Sequence, residues 1–328
     1  MNSIKKMMLS GALGCLISGM AYADGSSPQP VKPYWQDIQV VAVNKEKPRS
    51  SFMSYADRET ALTSRFEKSP YYSLLNGTWK FFFVDSYKDL PQNITDPSVN
   101  TSSWDDITVP GNWEVQGHGV AIYTNHGYEF KPRNPQPPLL PEANPVGVYR
   151  RDIEIPASWD NRDIYLHIGG AKSGLYVYLN GKEVGYSEDS KNPAEFLINK
   201  YLQPGKNVLT LKIFRWSTGS YLECQDFWRM SGIERDVFLW SQPKASIQDF
   251  RVVSTLDDTY TNGIFKLAVD LKNHTQETKN LNVGYELLDA KGNLVTSEAN
   301  DIWVSPASPQ TASVSYTHLR AHETKANL

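Results

Sequence analysis

Leu175-Tyr-Val-Tyr-Leu179, followed by Asn180-Gly181, is the clearest indication of fold class in this chain. Its three aliphatic residues alternate with two tyrosines, and this two-residue period is typical of a strand with one buried face. Asn180-Gly181 is a dipeptide that two-residue β-hairpins favour, because both central positions need a positive φ. The stretch therefore predicts an antiparallel hairpin.

The same alternation recurs on both sides of this hairpin, in 149–155, 162–168, 209–214 and 237–240. No sustained 3.6-residue apolar period follows the N-terminal 23 residues. Many short strands separated by turn residues predict an all-β chain with a jelly-roll sandwich over residues 70–243. Residues 24–69, called the arm below, mix polar and aromatic side chains, and we expect them to wrap over this sandwich.

A second unit begins after Pro243 and has the pattern of an immunoglobulin-type sandwich. Apolar residues alternate through 265–271, and 281–288 is expected to pair with 294–297 across a turn at 289–293. Such a sandwich takes about 100 residues and about seven strands, so 244–314 provides an incomplete one. Residues 315–328 show neither alternation nor a turn, and we expect them to be a non-native tail.

The N-terminus has the layout of a secretory signal. Lys5 and Lys6 precede an apolar run that ends at Met20, and Ala21-Tyr-Ala23 offers a cleavage site. The apolar run is shorter than the roughly 20 residues that span a bilayer. We therefore expect residues 1–23 to be removed and the chain to reach the periplasm. A lipid anchor on Cys15 at the outer membrane is the less favoured alternative.

Composition narrows the classes of partner. The chain has 33 Lys and Arg against 36 Asp and Glu in 328 residues, for a net charge of -3. This balance argues against a nucleic-acid partner, which would call for a basic surface. Aromatic residues make up 12% of the chain, and they suit either sandwich cores or platforms on which sugars stack.

Three segments place carboxylates and amides among aromatic residues between strands: loop one (109–114 and 122–125), loop two (185–196) and loop three (215–232). Aromatic faces cover the apolar side of a sugar while fixed polar groups bind its hydroxyls. On composition alone, the carboxylates of such segments are more often solvated turn residues, and the tryptophans more often core residues, than parts of a binding site.

These loops contain two pairs of carboxylates that are close in sequence, Glu188 with Asp189 and Glu223 with Asp226. Neither pair is assigned a catalytic role. Retaining glycoside hydrolysis needs two carboxylates about 5–5.5 Å apart. Glu188 and Asp189 are adjacent, and adjacent residues on a strand point to opposite faces. No spacing argument brings Glu223 and Asp226 together.

The same loops resemble the large bacterial β-galactosidases of glycoside hydrolase family 2. The matching motifs are Ile-Tyr-Thr-Asn at 122–125, Gly-Tyr-Ser-Glu-Asp-Ser-Lys-Asn-Pro-Ala-Glu-Phe at 185–196, and the Arg-Trp-Ser-Thr-Gly-Ser-Tyr-Leu-Glu run that opens loop three. Leu74-Leu-Asn-Gly-Thr-Trp79 and Val109-Pro-Gly-Asn-Trp113 are similar to the opening domain of that family. The resemblance covers Trp35 to about Val304. Single motifs also fit the related β-glucuronidases and β-mannosidases.

The resemblance implies a jelly-roll sugar-binding domain, an immunoglobulin-like domain and a (β/α)8 barrel that carries both catalytic glutamates. We expect the barrel to be absent from this chain, together with the glutamates and the magnesium ligands. Asn125 matches an asparagine that reaches the galactose pocket. Asp189 matches an aspartate that contacts galactose hydroxyls and binds sodium, with the other sodium ligands on the barrel.

Other residues of loop three have a lesser role in this resemblance. Trp216, Glu223 and Trp228 are expected to shape the loop rather than bind ligand. Cys224 stands where the family tends to place an acidic residue, and after removal of the signal it is the only thiol, which excludes an intrachain disulfide.

Two functional hypotheses follow. The first is the N-terminal part of a secreted retaining β-galactosidase that acts on terminal β-D-galactose, so that this chain alone is inactive. The ligand of this enzyme is a galactoside. Because members of the family often assemble, a homo-oligomeric parent enzyme is one alternative. The second is a stand-alone carbohydrate-binding module. An incomplete second sandwich argues against it, because such a sandwich exposes an edge strand and apolar surface.

Overall fold

The computed structural model describes residues 32–130, 134–307 and 310–320. The strands of the first sandwich are β1 Ala42–Val43, β2 Tyr72–Leu74, β3 Gly77–Val84, β4 Asp105–Val109, β5 Gly111–Asn112, β6 Ile122–Thr124, β7 Val146–Glu154, β8 Arg162–Ile168, β9 Ala171–Lys172, β10 Gly174–Leu179, β11 Lys182–Ser187, β12 Ala194–Leu197, β13 Lys206–Phe214, β14 Phe227–Arg229, β15 Gly232–Ile233 and β16 Val237–Pro243. Short helical elements connect them: α1 Arg58–Leu62 and the 3-10 turns Tyr34–Gln36, Phe66–Lys68, Tyr87–Asp89, Glu114–Gln116, Ala157–Trp159, Asn199–Tyr201 and Thr218–Tyr221.

Two sheets of antiparallel strands form this sandwich. Sheet one has the order β1-β11-β10-β13-β7-β3-β4, and sheet two has the order β12-β8-β16-β2. The predicted hairpin is β10–β11, with Leu179 opposite Lys182 and positive φ values of 53° at Asn180 and 77° at Gly181. The fold-class prediction is confirmed: the described residues form all-β sandwich sheets and contain no (β/α)8 barrel.

The core lies between the two sheets and takes one face of each strand, as the alternation predicts. Val177 and Leu211 of sheet one and Leu166 and Leu239 of sheet two are all buried in it. Gly147 allows the sheets to close over Trp113, because a Cβ at this position would lie closer than 3.0 Å to that ring. Many aromatic side chains of the chain pack in this core or between the sheets and the arm.

The arm crosses the outer faces of both sheets. Trp35 is buried on sheet one, where its ring stacks on Phe214 at 5.1 Å between centroids. Strand β1 then pairs with β11 at the edge of that sheet. Farther along, Met53 is buried against Tyr165 and Trp240 on the outer face of sheet two. Each sheet is therefore covered on its outer side as well as its inner one.

The second unit has two sheets, β17-β18-β21 and β19-β20, built from β17 Ala245–Leu256, β18 Asn262–Asn273, β19 Lys279–Leu288, β20 Leu294–Val304 and β21 Gln310–Arg320. The expected pairing of 281–288 with 294–297 is present and continues to Val304. Strand β21 pairs with β18 as far as Arg320, within the segment for which the sequence showed no pattern. This pairing joins strands that are far apart in sequence, so local alternation does not reveal it.

A buried ionic cluster joins the two units. The Asp163 carboxylate of β8 lies 3.2 Å from Lys272 Nζ and 2.7 Å from His274 Nδ1. Burial raises the pKa of Asp163. The hydrogen bond from His274 and the charge of Lys272 together lower this pKa by more than burial raises it, so the pKa lies below its ordinary value.

Some sequence predictions lie outside the described residues. These are the signal segment 1–23 with Cys15, and residues 321–328 of the tail. Within the described residues, no helix has the length and apolar character needed to cross a bilayer.

Candidate functional site

The structure brings the three loops into contact with one another. Loops one and three form a two-stranded ribbon, β6–β14, in which Tyr123 lies opposite Trp228. The Tyr123 hydroxyl donates a hydrogen bond of 3.1 Å to Asp226 in loop three. At the base of the ribbon, the buried Glu114 carboxylate accepts a hydrogen bond of 2.8 Å from the Ser231 backbone N–H. These contacts fix loop one against loop three.

Glu188 joins loop two to loop three. Its side chain is buried, and its Oε1 accepts a hydrogen bond of 2.7 Å from the Tyr186 hydroxyl. Its Oε2 accepts hydrogen bonds of 2.7 Å from both the Thr218 hydroxyl and the Gly219 N–H. Burial raises the pKa of Glu188 more than these hydrogen bonds lower it. Three donors on one carboxylate give this residue a structural role.

Glu223 is the second link between these loops. Its carboxylate accepts hydrogen bonds from Ser190, at 2.9 Å from the backbone N–H and 2.6 Å from the hydroxyl. Its own backbone carbonyl accepts a hydrogen bond of 2.8 Å from the buried Arg229. Trp216 is buried nearby, whereas Trp228 is 53% exposed. The Cys224 thiol lies 3.4 Å from the Ser220 carbonyl, and burial raises the pKa of the thiol.

The two residues predicted to bind substrate are both exposed on these loops. Asn125 follows β6 directly, and its Oδ1 lies 2.8 Å from Nδ1 of His126. Asp189 follows the buried Glu188, and its Oδ2 accepts a hydrogen bond of 2.8 Å from Asn192 Nδ2. Glu188 is buried and Asp189 is exposed, so the two neighbouring side chains point to different environments. Within the described residues, no hydrogen bond joins Asn125 to Asp189.

Sequence reasoning missed the part of the arm that lies beside Asp189. The Lys45 ammonium donates a hydrogen bond of 3.1 Å to the Ser187 hydroxyl. Burial lowers the pKa of Lys45, although the charge of Asp189 acts in the opposite direction. Because the arm lacks strand or helix periodicity, its mixed polar and aromatic composition predicted only that it wraps over the sandwich, not that Lys45 lies beside Asp189.

The donors present fit only part of a cation site. Asp189 offers one carboxylate, and no group of three or more His, Cys, Asp or Glu side chains that could hold a metal ion occurs in the described part of the chain. Asp189 alone does not define a cation site, and both the sodium and the magnesium assignments stay predictions.

Comparison with known proteins identifies the family. Residues 72–243, more than half of the chain, match the family described as "Glycosyl hydrolases family 2, sugar binding domain". The chain belongs to glycoside hydrolase family 2. The matched range begins at β2 and ends with β16, and it contains all three loops.

Named relatives in this family are β-galactosidases. The β-galactosidase of Priestia megaterium is 37% identical over 293 residues, which cover 88% of this chain and 28% of that protein. That of Halalkalibacterium halodurans is 38% identical over 267 residues, covering 80% of this chain and 26% of that protein. The chain thus spans about a quarter of the length of these curated relatives.

Solved structures share the fold of this chain. A β-glucuronidase 2 of Bacteroides uniformis matches with a TM-score of 0.61 and 20% identity, covering 76% of this chain and 28% of that one. A putative β-galactosidase of Bacteroides fragilis matches with a TM-score of 0.59 and 17% identity, covering 76% of this chain and 36% of that one. At this identity the structures support the sandwich fold and not a substrate.

Proposed function

We propose that this chain is the N-terminal, sugar-binding part of a secreted retaining β-galactosidase. The parent enzyme would remove terminal non-reducing β-D-galactose from β-galactosides through a glycosyl-enzyme intermediate. Family membership supports a glycosidase parent, and the names of the relatives support galactose as its sugar. The observation that carries the proposal is the exposure of Asn125 and Asp189 on loops that hydrogen bonds to the carboxylates of Glu114, Glu188 and Glu223 join together.

In this proposal the chain binds and orients galactose. The Asn125 amide can both donate to and accept from a hydroxyl, and the Asp189 carboxylate accepts from hydroxyls. Because Glu188 and Glu223 fix the loops, little conformational entropy is lost when the sugar binds. That binding energy orients the glycosidic bond toward carboxylates of the parent enzyme. Sodium, held in part by Asp189, would add electrostatic attraction for hydroxyl oxygens.

The first test is activity. The purified chain, incubated with a chromogenic β-galactoside, is expected to release no galactose, because both catalytic glutamates are assigned to the barrel of the parent. Hydrolysis above that of a mock preparation, in the absence of contaminating enzyme, would contradict the proposal.

The second test is binding, measured by saturation-transfer NMR with galactose. Asn125→Ala and Asp189→Asn should each weaken binding by roughly 3- to 10-fold, the effect of about one lost hydrogen bond. The matched controls are Asn300→Ala and Asp301→Asn on the exposed β20 strand, and they should leave binding unchanged. Equal affinities for all four variants would contradict the site. Micromolar binding by a monomeric, cooperatively folding chain would instead favour a stand-alone module.

The proposed secretion has its own test. Mass spectrometry of the exported protein should give an N-terminus at Asp24. An N-terminal lipid on Cys15 would show that the chain is a lipoprotein.

A further inference from the structure

A cavity of about 290 Å³ lies between residues 45–52 of the arm and the outer face of sheet two. We call it the arm cavity. The residues that matter for its chemistry are Phe52, Phe66, His167, Asp189, Asn192 and Phe238. Its volume is close to the lower end of the range for small-molecule sites, ~300 Å³. Asp189 therefore belongs both to loop two and to the lining of this cavity.

The arm wall of the cavity is fixed by Arg49. Its Nε and Nη2 donate to the two carboxylate oxygens of Glu195, both at 2.9 Å. The guanidinium also lies over the rings of Trp240, at 4.3 Å, and Phe52, at 4.6 Å. The backbone N–H of Glu46 donates to the Glu195 carbonyl at 2.8 Å. These contacts hold residues 46–52 in place, so the cavity is formed before any ligand arrives.

The Glu195 carboxylate already accepts four hydrogen bonds from side chains, three of them at Oε1. In addition to Arg49, it accepts hydrogen bonds from His167 Nδ1 at 2.8 Å and from Trp240 Nε1 at 3.1 Å. Burial raises the pKa of Glu195. The hydrogen bond from His167 and the charge of Arg49 together lower this pKa by more than burial raises it, so the carboxylate stays ionised. The residue is a positioning group that anchors the arm and orients the His167 ring.

The floor of the cavity is aromatic. The His167 ring stacks on Phe238 with 4.1 Å between centroids and 14° between planes. Phe52 and Phe66 are half-buried and face the same space from the arm side. Aromatic faces of this kind cover the C–H side of a pyranose ring.

Polar groups lie at the loop-two side of the cavity. Asn192 and Asp189 are exposed there and share one hydrogen bond, so the amide oxygen and the second carboxylate oxygen remain available to hydroxyls. The charges of the lining balance: Lys45 and Lys47 oppose Glu46 and Asp189, while the remaining pair is the Arg49–Glu195 ion pair. This balance favours a neutral ligand that has one apolar face and several hydroxyls.

We propose that the arm cavity binds a pyranose unit of a neutral, galactose-containing oligosaccharide, beside the galactose that Asp189 contacts. This inference rests on the proposed function and adds a substrate class to it. The arm would select an oligosaccharide of several residues over free galactose or a disaccharide. Asp189 would be shared between neighbouring sugar units, while Phe66 and Asn192 would contact only the unit in the cavity.

The test compares galactose, linear β-1,4-galactotriose and trigalacturonate as ligands of the full chain, by calorimetry and saturation-transfer NMR. Galactotriose is expected to bind at least about tenfold more tightly than galactose, since one stacked ring adds roughly this factor. Trigalacturonate should not gain affinity over galactose. A preference for trigalacturonate would overturn the neutral class.

The deciding variants are Asn192→Ala, which is exposed and should fold normally, and Phe66→Ala. Both should reduce the tenfold preference for galactotriose to below about threefold. Phe66→Ala should also leave galactose affinity unchanged, whereas Asn192→Ala removes the hydrogen bond to Asp189 and is judged by the preference alone. Asn300→Ala and Tyr260→Ala replace an exposed amide and an exposed aromatic ring of the second unit, and they serve as controls. An unchanged preference in Asn192→Ala overturns the inference, whether or not Phe66→Ala folds.

The outcomes separate the inference from the proposed function. If Asn125→Ala weakens galactose binding but galactotriose shows no preference, only the arm cavity assignment fails. If galactotriose binds through the cavity and Asn125→Ala has no effect, the galactose site fails. If neither ligand binds, both fail.

Discussion

Replacing Glu188 by alanine should destabilise the chain and separate loop two from loop three. The substitution leaves the hydroxyls of Tyr186 and Thr218 and the N–H of Gly219 without their acceptor. A buried donor left without a partner costs about 1–3 kcal/mol. The two hydroxyls can rotate toward water that enters the space, and removing a buried charge offsets part of the loss. We therefore expect a net decrease of about 3 kcal/mol in the free energy of unfolding.

Glu188→Gln distinguishes the hydrogen bonds from the charge. Its amide oxygen can take the place of Oε2, which accepts from Thr218 and Gly219, and its NH₂ group can donate to the Tyr186 hydroxyl. The proton of the Tyr186 hydroxyl then has no acceptor, so the expected loss is about 1–2 kcal/mol, smaller than that of alanine. Glu183→Ala, on the exposed side of the same strand β11, is the control and should stay within about 0.5 kcal/mol. Urea denaturation followed by tryptophan fluorescence measures all three.

The pH dependence provides an independent check. Burial raises the folded-state pKa of Glu188, so the folded chain binds more protons than the unfolded chain above the ordinary glutamate pKa of about 4.3. Through this residue, stability falls as the pH rises from that value through the folded pKa. Glu188→Gln should lack this fall. Equal losses for alanine and glutamine, or a loss below about 1 kcal/mol for alanine, would show that these hydrogen bonds do not stabilise the chain.

Three further predictions concern the arm and the junction. Arg49→Lys should lower the free energy of unfolding by about 2 kcal/mol, because lysine cannot make the bidentate pairing with Glu195 or stack on Trp240 and Phe52. Limited proteolysis should then cut the arm first, and unchanged protection of the arm would contradict this. Asp163 has a lowered pKa, so its contribution to stability is present at neutral pH and is lost as the pH falls below about 3.9. Asp163→Asn should therefore reduce the fall of the urea midpoint at acid pH, and an unchanged fall would contradict this contribution. Gly185→Ala would place a Cβ closer than 3.0 Å to the carbonyl of Val43, costing about 1–3 kcal/mol; hydrogen exchange in β1 should rise, and wild-type protection there would count against the clash.

Local patterns were sufficient to predict strands β7, β8, β10, β13, β16 and β18. The hairpin at Asn180-Gly181 and the pair β19–β20 follow from alternation and turn residues, which act over a few neighbouring positions. The pairing of β21 with β18 was not predicted, since its partners lie about 50 residues apart and residues 315–320 carry no alternation. The arm was expected to wrap over the sandwich, but nothing local indicated that Arg49 would reach Glu195.

The all-β class, the three loops and their likeness to glycoside hydrolase family 2 follow from the amino-acid sequence, because those features reside in short contiguous stretches. The roles of the carboxylates in those loops depend on how the chain folds. Glu188 and Asp189 are neighbours in sequence, yet one is buried under three donors and the other is exposed beside the arm. Burial and hydrogen bonding depend on residues distant in sequence, such as Thr218 and Lys45. The arm cavity exists only because the chain folds residues 45–52 back across sheet two, where Arg49 finds a buried carboxylate to pair with.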